Sequence, residues 1–340
     1  MKAIVYSRTG ASSVLSLVDR EVATPGPGEV RVRIEVSGVN PTDWKARAGD
    51  SIAFAEVVPN QDGAGVVDAV GEGVTGVEVG DPVWVYLAAH GRPTGTAQEF
   101  TILPADRVVP LPDGIGFDVG ASLGVPAMTA HRALTVHEHG PARLAPNALA
   151  GRTVLVQGGA GAVGHAAIQL AVWAGATVIA TVSNDAKAEL ARAAGAHHVV
   201  RYPDDAFADH VRAIAPDGVD HIVEVSPGQN AALDVEVIAN HGSIAYYANN
   251  NGEQFTAPIV ASFAKNVRWQ GLLLYTVGPE ALHIAAEDIT AALRDGVLPV
   301  GEAAGLPLTW FPLEQTAAAH EAVENGVTGK ILIRVGSASR

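Results

Sequence analysis

Three glycines in this chain are spaced so that they could hold a phosphate group against the backbone. Gly159, Gly161 and Gly164 follow the apolar run Val154 to Val156 at the spacing GxGxxG. The first glycine permits a tight turn, the second lets the backbone approach a pyrophosphate, and the third lets the next helix pack closely on the strand. The N–H groups and positive dipole end of that helix would bind the pyrophosphate. The spacing alone also fits a glycine-rich connection without a ligand, so the surrounding elements must decide.

The elements around this turn alternate between strand and helix. A helix is predicted from Ala162 to about Trp173, and another from Asp185 to Ala194, which ends at Gly195. Strands are predicted at Ala176 to Val182, His198 to Tyr202, Asp220 to Val225 and Ser243 to Tyr247. This alternation predicts a Rossmann-type doubly wound parallel sheet that binds a dinucleotide.

The end of the second strand favours NADPH over NADH. An NADH site usually has a carboxylate about 20 residues after the first glycine, where it accepts hydrogen bonds from the ribose 2′-OH. This chain has Ser183 and Asn184 there, which can donate to a 2′-phosphate, and Lys187 can approach from the next helix. Asp185 argues for NADH, but an acid at a helix start is equally explained as a cap or dipole partner.

Composition excludes several classes of protein. The 340 residues suit two domains, and the net charge of −14 without a Lys/Arg cluster argues against nucleic acid as a partner. Hydrophobic residues make up 48%, but their runs are too short for a membrane span. There is no cysteine, hence no disulfide or thiolate metal site, and Met1-Lys-Ala-Ile opens a strand rather than a signal peptide. We therefore expect a soluble cytoplasmic protein.

The residues before the glycine turn are predicted to form a closed or partly closed β-barrel. The tail has a helix from Pro279 to Asp295, a helical stretch LEQTAAAHEAVENG and a final strand KILIRV that rejoins the first domain. The predicted domains are 1–125 with 276–340, and 126–275. The barrel strands are predicted at Lys2 to Ser7, Leu15 to Val22, Glu29 to Val39, Gly63 to Val70, Pro82 to Leu87 and Ala97 to Leu103.

A series of motifs in this order resembles the medium-chain dehydrogenase/reductase superfamily. They are GVNPTDWKARAG, PNQDGAGVVDAVGEGV, VGDPVWVY, AQEFTILPADRVVPLPDG, GVPAMTAHRAL, the glycine turn and FPLEQTAAAHEAVENGVTGKILI. Within it the chain is most similar to the zinc-independent NADPH:quinone oxidoreductases, the zeta-crystallin-like group. The resemblance implies an α/β chain with a GroES-like β-barrel catalytic domain and a Rossmann NADPH-binding domain.

The resemblance also indicates whether this chain has the zinc ligands of its relatives. Zinc-dependent relatives carry Cys and His where this chain has Asn40 and Pro41, and His and Glu where it has Gln61 and Asp62. A catalytic zinc needs three N, S or O donors, so we expect no metal. His131, His137 and His139 cluster after the barrel and are expected to be solvated or capping residues.

Carried over by position, the resemblance assigns most of the cofactor site. Ala160, Gly161, Ala162 and Val163 would line the pyrophosphate, while Ser183, Lys187 and Tyr202 would surround the 2′-phosphate. Tyr247 and Ala248 replace smaller residues, which implies a narrower nicotinamide side. The remaining residues implied to reach the cofactor are Asn230, Tyr247, Ala248, Asn249, Asn250, Leu272, Leu273 and Leu274.

On the substrate side the resemblance implies Asn40, Trp44, Lys45 and Thr129. Asn40 could orient the carboxamide or an acceptor oxygen, or merely close a turn before Pro41. Lys45 could donate to an oxyanion or be a surface lysine. No catalytic acid or base is assigned.

The resulting hypothesis is hydride transfer from NADPH to a quinone or similar activated acceptor, without zinc. One alternative is reduction of the C=C bond of an enone, alkenal or enoyl thioester; another is a non-enzymatic crystallin-like NADPH- or RNA-binding protein. The segment Val267 to Tyr275 matches the last sheet strand of the family, which implies a homodimer, or a homotetramer.

Overall fold

The computed structural model describes residues 1–202, 206–250 and 252–336. Its strands are β1 Lys2–Val5, β2 Ser16–Asp19, β3 Glu29–Val39, β4 Asp62–Val70, β5 Pro82–Val85, β6 Phe100–Pro104, β7 Val108–Pro110, β8 Thr153–Val156, β9 Thr177–Val182, β10 His198–Arg201, β11 Val219–Glu224, β12 Ile238–Tyr246, β13 Arg268–Gly271, β14 Leu308–Pro312 and β15 Lys330–Arg334. Its α-helices are α1 Pro41–Ala48, α2 Phe117–Gly120, α3 Gly124–Thr135, α4 Ala162–Trp173, α5 Asp185–Ala193, α6 Phe207–Ile214, α7 Pro227–Val237, α8 Ile259–Ala264, α9 Pro279–Arg294 and α10 Thr316–Glu324. None of the helices in these ranges is long and apolar enough to cross a membrane.

The chain divides into two compact units. Unit 1 comprises Met1–Pro126 and Leu308–Arg340, and unit 2 comprises Ala127–Pro307. Residues 276–307, which we assigned to the first domain, therefore lie in unit 2. The reason is α9, whose Asp288 accepts hydrogen bonds from His131 at 2.8 Å and from the backbone N–H of Leu144 at 2.7 Å. The predicted end of the first domain, residues 337–340, lies outside the described residues.

Unit 1 is built on a sheet in the order β14-β15-β3-β4-β5-β7, with β6 pairing with β3. The eleven residues of β3 are long enough to pair with β15, β4 and β6, and the register with β4 shifts twice. Such irregularities bend a strand. As predicted, β15 returns the end of the chain to this sheet, antiparallel to β3. Val30, Val32 and Ile34 of β3 are buried in its apolar core.

Unit 2 is a parallel sheet in the order β10-β9-β8-β11-β12-β13. β8 lies between β9 and β11, so the strand order reverses at this point, and such switch points at the carboxyl ends of strands are where α/β folds bind ligands. The apolar runs of β8 and β9 are fully buried, as expected for central parallel strands covered by helices.

Most predicted elements match within a few residues. In unit 2 the strand predicted from Ser243 begins at Ile238, and the segment Val267 to Tyr275 forms a strand only over Arg268–Gly271. The strand predicted from Ala97 begins at Phe100, because Gln98 makes only an isolated bridge with Ala3. The strand predicted from Leu15 to Val22 is reduced to Ser16–Asp19. In unit 2, α4 has the predicted bounds.

Candidate functional site

The glycine turn follows β8 at the switch point of the unit 2 sheet. Gly161 is the N-cap of α4, and a Cβ built there would meet nothing nearer than the Gly158 carbonyl at 3.5 Å. A Cβ at Gly164 would lie 2.3 Å from that carbonyl, so Gly164 must be glycine for α4 to pack on the turn. The turn therefore presents an open backbone at the helix N-terminus, where N–H groups lack partners within the helix and favour an anion.

The structure reassigns one of the three glycine roles. The residue with left-handed backbone is Gly158, at φ +71°, a glycine outside the GxGxxG spacing that we used. Gly159 instead permits close packing, since a Cβ there would lie 2.9 Å from the Cβ of Ala180. The tight turn and the close approach of β9 thus need two adjacent glycines.

Residues assigned to the 2′-phosphate lie at the carboxyl ends of β9 and β10. Ser183 and Lys187 are half-buried, Tyr202 is exposed, and Asn184 caps α5 by accepting from the backbone N–H of Lys187 at 2.9 Å. Sequence reasoning missed Arg201, whose guanidinium contacts Asp185 at 2.9 Å. This ion pair neutralises the carboxylate that argued for NADH. Arg201 is the last residue of β10, one before Tyr202, which is the signal that could have found it.

The other residues assigned to the cofactor follow β11, β12 and β13, so the parallel sheet brings them to the same edge. Asn230 is buried in α7, Tyr247 and Ala248 are half-buried, and Asn249 and Asn250 are exposed. Leu272 and Leu274 are buried and Leu273 is 54% exposed. Ala160 is itself buried, whereas Gly161 is exposed and Ala162 and Val163 are half-buried.

A polar network that the sequence did not reveal lies beneath the turn. Gln157 Nε2 donates to Asp234 at 2.9 Å, and the Thr181 hydroxyl donates to Gln157 Oε1 at 2.6 Å. Asn230 Nδ2 lies 3.2 Å from each carboxylate oxygen of Glu224. Burial raises the pKa of both Glu224 and Asp234.

Asn40 belongs to a fully buried charged cluster in unit 1. Its Nδ2 donates to Asp62 at 2.7 Å, and its Oδ1 accepts from Lys330 at 2.6 Å, so the amide orientation is fixed from both ends. Its backbone N–H donates to Asp43 at 2.7 Å, and Asn40 is the N-cap of α1. The backbone of Asn40 therefore closes the turn, as one of the two predictions had it, while its side-chain amide is held by Asp62 and Lys330. Its role toward the carboxamide or an acceptor stays a prediction.

The protonation of this cluster is set by burial and by its lysine. Burial raises the pKa of Asp62 to about 6, and Lys330 opposes that rise. Burial, and then Asp62, raise the pKa of Asp43 to about 7. Burial lowers the pKa of Lys330, and the Asp62 and Asp43 carboxylates oppose that change.

The donor set around Asn40 does not fit a catalytic zinc. Asp62 and Asn40 supply oxygens, but the Lys330 ammonium already lies 2.6 Å from the Asn40 oxygen and would repel a divalent cation. The Gln61 oxygen accepts from the backbone N–H of Ala89 at 3.2 Å. Across residues 1–202, 206–250 and 252–336 no group of three His, Asp or Glu side chains could hold a metal ion.

The remaining substrate-side residues are divided between the units. In unit 1, Trp44 is half-buried and Lys45 is exposed, with Nζ 5.9 Å from the centre of the Trp44 ring. This distance is within the range of a cation–π contact. In unit 2, Thr129 is buried within α3.

The histidine cluster differs from expectation. His131 is buried and bound to Asp288, rather than solvated. His137 is half-buried and stacks on His221 with ring centres 4.7 Å apart; burial lowers the pKa of His137 to about 4 and that of His221 to about 3. The sequence could not show this, because His221 comes from β11.

Comparisons with known proteins agree with this architecture. Two family models match, Zinc-binding dehydrogenase over residues 162–291 and Alcohol dehydrogenase GroES-like domain over residues 26–113. A quinone oxidoreductase of Mus musculus is 30% identical, covering 98% of this chain and 97% of its own. A 2-haloacrylate reductase of Burkholderia sp is 29% identical, covering 94% of each chain. A mycobacterial structure complexed with NADPH superposes with a TM-score of 0.82 at 30% identity, covering 98% of this chain and 100% of that one.

A GroES-like domain together with a doubly wound sheet that carries a glycine turn at its switch point defines a medium-chain dehydrogenase/reductase. The fold class predicted from the sequence is confirmed. The full-length relationship to the mouse enzyme is more specific. The chain belongs to the quinone oxidoreductase family of that superfamily.

Proposed function

We propose that this protein is an NADPH-dependent oxidoreductase that transfers a hydride to a quinone or similar activated acceptor without zinc. The observation that carries the proposal is the open glycine turn at the N-terminus of α4, with Ser183, Lys187 and Arg201 after the neighbouring strands. The mycobacterial structure complexed with NADPH supports the choice of cofactor.

The cofactor would be held along the carboxyl edge of the unit 2 sheet. Gly161, Ala162 and Val163 would bind the pyrophosphate through their backbone, with Ala160 completing the turn. Ser183 and Tyr202 would donate hydrogen bonds to the 2′-phosphate, while Lys187 and Arg201 would supply positive charge. The turns that carry Asn230, Tyr247 to Asn250 and Leu272 to Leu274 would enclose the nicotinamide half. NADPH supplies the hydride when bound.

The acceptor follows from the chemistry of the Asn40 cluster. The donor set of this cluster does not fit a divalent cation, because the Lys330 ammonium lies against the Asn40 oxygen, so the cluster is not suited to polarising an alcohol or a simple aldehyde through a metal. Quinones accept a hydride without such help. Asn40, Trp44 and Lys45 of unit 1 are proposed to contact the acceptor, where they would exclude water and orient it. The acceptor role of Thr129 stays a prediction from the sequence. The quinone oxidoreductase of Mus musculus supports a quinone.

A second candidate is reduction of an activated C=C bond. The 2-haloacrylate reductase of Burkholderia sp is similar over 94% of both chains, which favours this reaction specifically. It needs the same cofactor and the same zinc-free site, so only the acceptor differs. We keep the quinone as the first proposal because the mouse relative covers more of the chain.

We further propose that the protein is a homodimer. β13 pairs only with β12 among the described strands, which leaves one backbone edge free. The helix that precedes β13, α8, exposes Ile259, Val260 and Phe263 by 65–77%. A free edge beside exposed apolar side chains is suited to sheet extension across a two-fold axis. Cytoplasmic operation remains a prediction from the sequence.

An acceptor screen tests the proposed function. NADPH consumption is followed with 1,4-naphthoquinone, a 2-alkenone and crotonyl-CoA, each repeated with NADH and after treatment with a metal chelator. We expect turnover with the quinone that exceeds turnover with the other two acceptors and is unaffected by the chelator. Turnover confined to the alkenone or thioester would select the second candidate, and turnover that the chelator abolishes would refute a zinc-free reaction.

A further inference from the structure

Two carboxyl groups lie buried together beneath the glycine turn. Glu224 ends β11 and Asp234 lies within α7, and both residues are 0% exposed. Within residues 1–202, 206–250 and 252–336, their hydrogen-bond donors are uncharged. Glu224 accepts from Asn230 Nδ2 and from the backbone N–H of Ser226, while Asp234 Oδ1 accepts from Gln157 at 2.9 Å. Two buried carboxyl groups that share one site cannot both stay ionised.

One oxygen of the Asp234 carboxyl group has no hydrogen-bond donor. Asp234 Oδ2 is buried without a donor, although Asp234 and Glu224 are close enough for a side-chain hydrogen bond. Two carboxylates have no hydrogen to share, whereas a protonated Asp234 donates O–H to Glu224 and satisfies both oxygens. Gln157 donates to Oδ1, so Oδ2 is the Asp234 oxygen that is left to share a proton with Glu224.

The pair connects the turns that face the proposed cofactor. Gln157 begins the glycine turn, and its Oε1 accepts from Thr181, whose hydroxyl accepts from the backbone N–H of Gly158 at 3.2 Å. The second turn follows β11. It is held by the Glu224 carboxyl group, which accepts hydrogen bonds from the backbone N–H of Ser226 and from Asn230 Nδ2.

The third turn, which follows β12, is connected to the same residues. The backbone N–H of Tyr247 donates to the Glu224 carbonyl at 3.1 Å, and the Ser226 hydroxyl donates to the Asn250 carbonyl at 2.8 Å. A second negative charge in the pair would therefore strain the contacts that hold all three turns in position.

We propose that Glu224 and Asp234 share one proton, that this protonated pair positions the three turns, and that removing the proton weakens NADPH binding in alkaline solution. The proposal rests on the proposed function for its ligand. Glu224 and Asp234 are positioning residues, because they act through Gln157, Asn230 and the backbone and are themselves fully buried.

The groups that face the pair leave few other sources of a pH effect. Three uncharged side chains lie around Glu224 and Asp234, and none of them titrates. They are Gln157 after β8, Thr181 in β9 and Asn230 in α7. Tyr247, after β12, is the titratable group that acts on Glu224; burial, and then Glu224, raise the pKa of its hydroxyl. Tyr247 therefore stays neutral where the pair loses its proton.

The first test compares the urea unfolding of wild-type protein and Asp234→Asn as a function of pH. The asparagine amide still accepts from Gln157 and donates to Glu224, but it has no proton to lose. A pKa raised in the folded state makes stability fall as pH rises, so the wild-type unfolding constant should increase about tenfold per pH unit relative to the variant above about pH 5.

The matched control is Asp209→Asn, at an exposed acid of α6 paired with Arg212 at 3.5 Å. Its unfolding constant should keep a fixed ratio to that of wild type over the same range. A fixed ratio for Asp234→Asn as well, with the variant less stable throughout, would overturn the shared proton. Should Asp234→Asn fail to fold, Glu224→Gln makes the same comparison, because its amide donates to Asp234.

The second test is NADPH affinity by equilibrium titration between about pH 7 and about pH 9, below the range in which tyrosine and lysine side chains titrate. We expect the wild-type Kd to rise about tenfold or more and the Asp234→Asn Kd to stay within about threefold. Parallel curves for the two proteins would overturn the positioning role. Wild-type protein that fails to bind NADPH near neutral pH would instead refute the proposed function, and the unfolding comparison would still decide whether the proton is shared.

Discussion

At the scale of single residues, we expect the charges after β9 and β10 to decide which dinucleotide this edge accepts. Asp185 would repel a 2′-phosphate, but Arg201 contacts its carboxylate at 2.9 Å. Lys187 lies in the first turn of α5, where the backbone is capped by Asn184 and the side chain stays half-buried. Lys187 and Arg201 therefore place two cations near Asp185 at this edge.

Removing either cation should change the coenzyme preference. We expect Lys187→Ala and Arg201→Ala each to raise the Kd for NADPH about tenfold, because a hydrogen bond to a charged group contributes about 1.5–3 kcal/mol. The Kd for NADH should change less than about twofold, since NADH has no 2′-phosphate. Equilibrium titrations with both nucleotides make the measurement.

Arg192→Ala is the matched control for these two variants. Arg192 lies on the same helix but pairs with Glu189 on an exposed face, at 2.5 Å. It should leave both affinities unchanged. Equal losses of NADPH and NADH affinity in Lys187→Ala would contradict the assignment of this lysine to the phosphate.

The second prediction at this scale concerns Lys330 in the Asn40 cluster. Lys330→Met leaves Asp62 and Asp43 buried without a cation, which should cost about 3–5 kcal/mol of the free energy of unfolding near pH 8. Without the ammonium, the pKa values of both carboxyls rise further above their unfolded values, so the variant loses stability as pH rises. The loss should therefore be smaller near pH 5.5. Urea unfolding at both pH values measures it.

Lys2→Met provides the comparison, because Lys2 is half exposed and pairs with Glu314 at 3.4 Å. Such a surface pair contributes about 0–1 kcal/mol. If Lys330→Met were no more costly than Lys2→Met at either pH, the buried cluster would not be held together by its lysine.

The glycine spacing and Asn40 could be found from the sequence because each lies in a local motif. The partners of these residues could not. Lys330 lies 290 positions from Asn40, and Asp234 lies 77 positions from Gln157. Only the pairing of β15 with β3, and the packing of α7 on β11, bring those side chains together.

At the scale of elements, two glycines of the GxGxxG spacing have different functions, one in helix packing and one in leaving space for a ligand. Gly164 allows α4 to pack on the turn, since a Cβ there would lie 2.3 Å from the Gly158 carbonyl. Gly161 leaves open space beside the N-terminus of α4. One glycine therefore serves the fold and the other is available to a ligand.

Alanine at Gly164 should lower stability, whereas alanine at Gly161 should weaken NADPH binding. Gly164→Ala should lower the free energy of unfolding by about 1–3 kcal/mol because it overpacks the turn. Gly161→Ala should change stability by less than about 1 kcal/mol but raise the Kd for NADPH about tenfold or more, because its methyl group enters the space left for the pyrophosphate. Thermal unfolding and NADPH titration of both variants check this. A stable Gly161→Ala protein that binds NADPH normally would contradict the ligand role.

Elements with strong periodicity were predictable and elements fixed by tertiary pairing were not. α4 and β8 have their predicted limits or nearly so, because an apolar run is bounded by glycine on one side and polar residues on the other. β6 is shorter than predicted because its start is set by the pairing of Phe100 with Arg33. The place of α9 in unit 2 could not be predicted, since its helical pattern gives no information about its contact with His131.

At the scale of the whole molecule, the proposed homodimer would form at one edge of the unit 2 sheet. Arg268–Gly271 forms the last strand, and Ile259, Val260 and Phe263 of α8 are exposed. These three side chains lie on one six-residue helix, and a contiguous exposed apolar patch is typical of an interaction surface.

A charge on this face should dissociate the proposed dimer. We expect sedimentation to show a dimer for wild-type protein at micromolar concentration and a monomer for Phe263→Asp, because the interface would have to bury an unpaired carboxylate. Val327→Asp is the control, at an apolar residue of unit 1 that is 45% exposed. A wild-type monomer, or a Phe263→Asp dimer, would contradict the assignment.

The proposed function requires that the carboxyl edge of the unit 2 sheet bind NADPH and that the hydride of NADPH pass to a quinone. The most direct measurement is the steady-state kcat/KM for NADPH and for NADH with 1,4-naphthoquinone as the acceptor. We predict measurable turnover with NADPH and a kcat/KM at least about tenfold higher than with NADH, from the charged contacts to the 2′-phosphate. No turnover with NADPH, or equal values for the two nucleotides, would contradict the account.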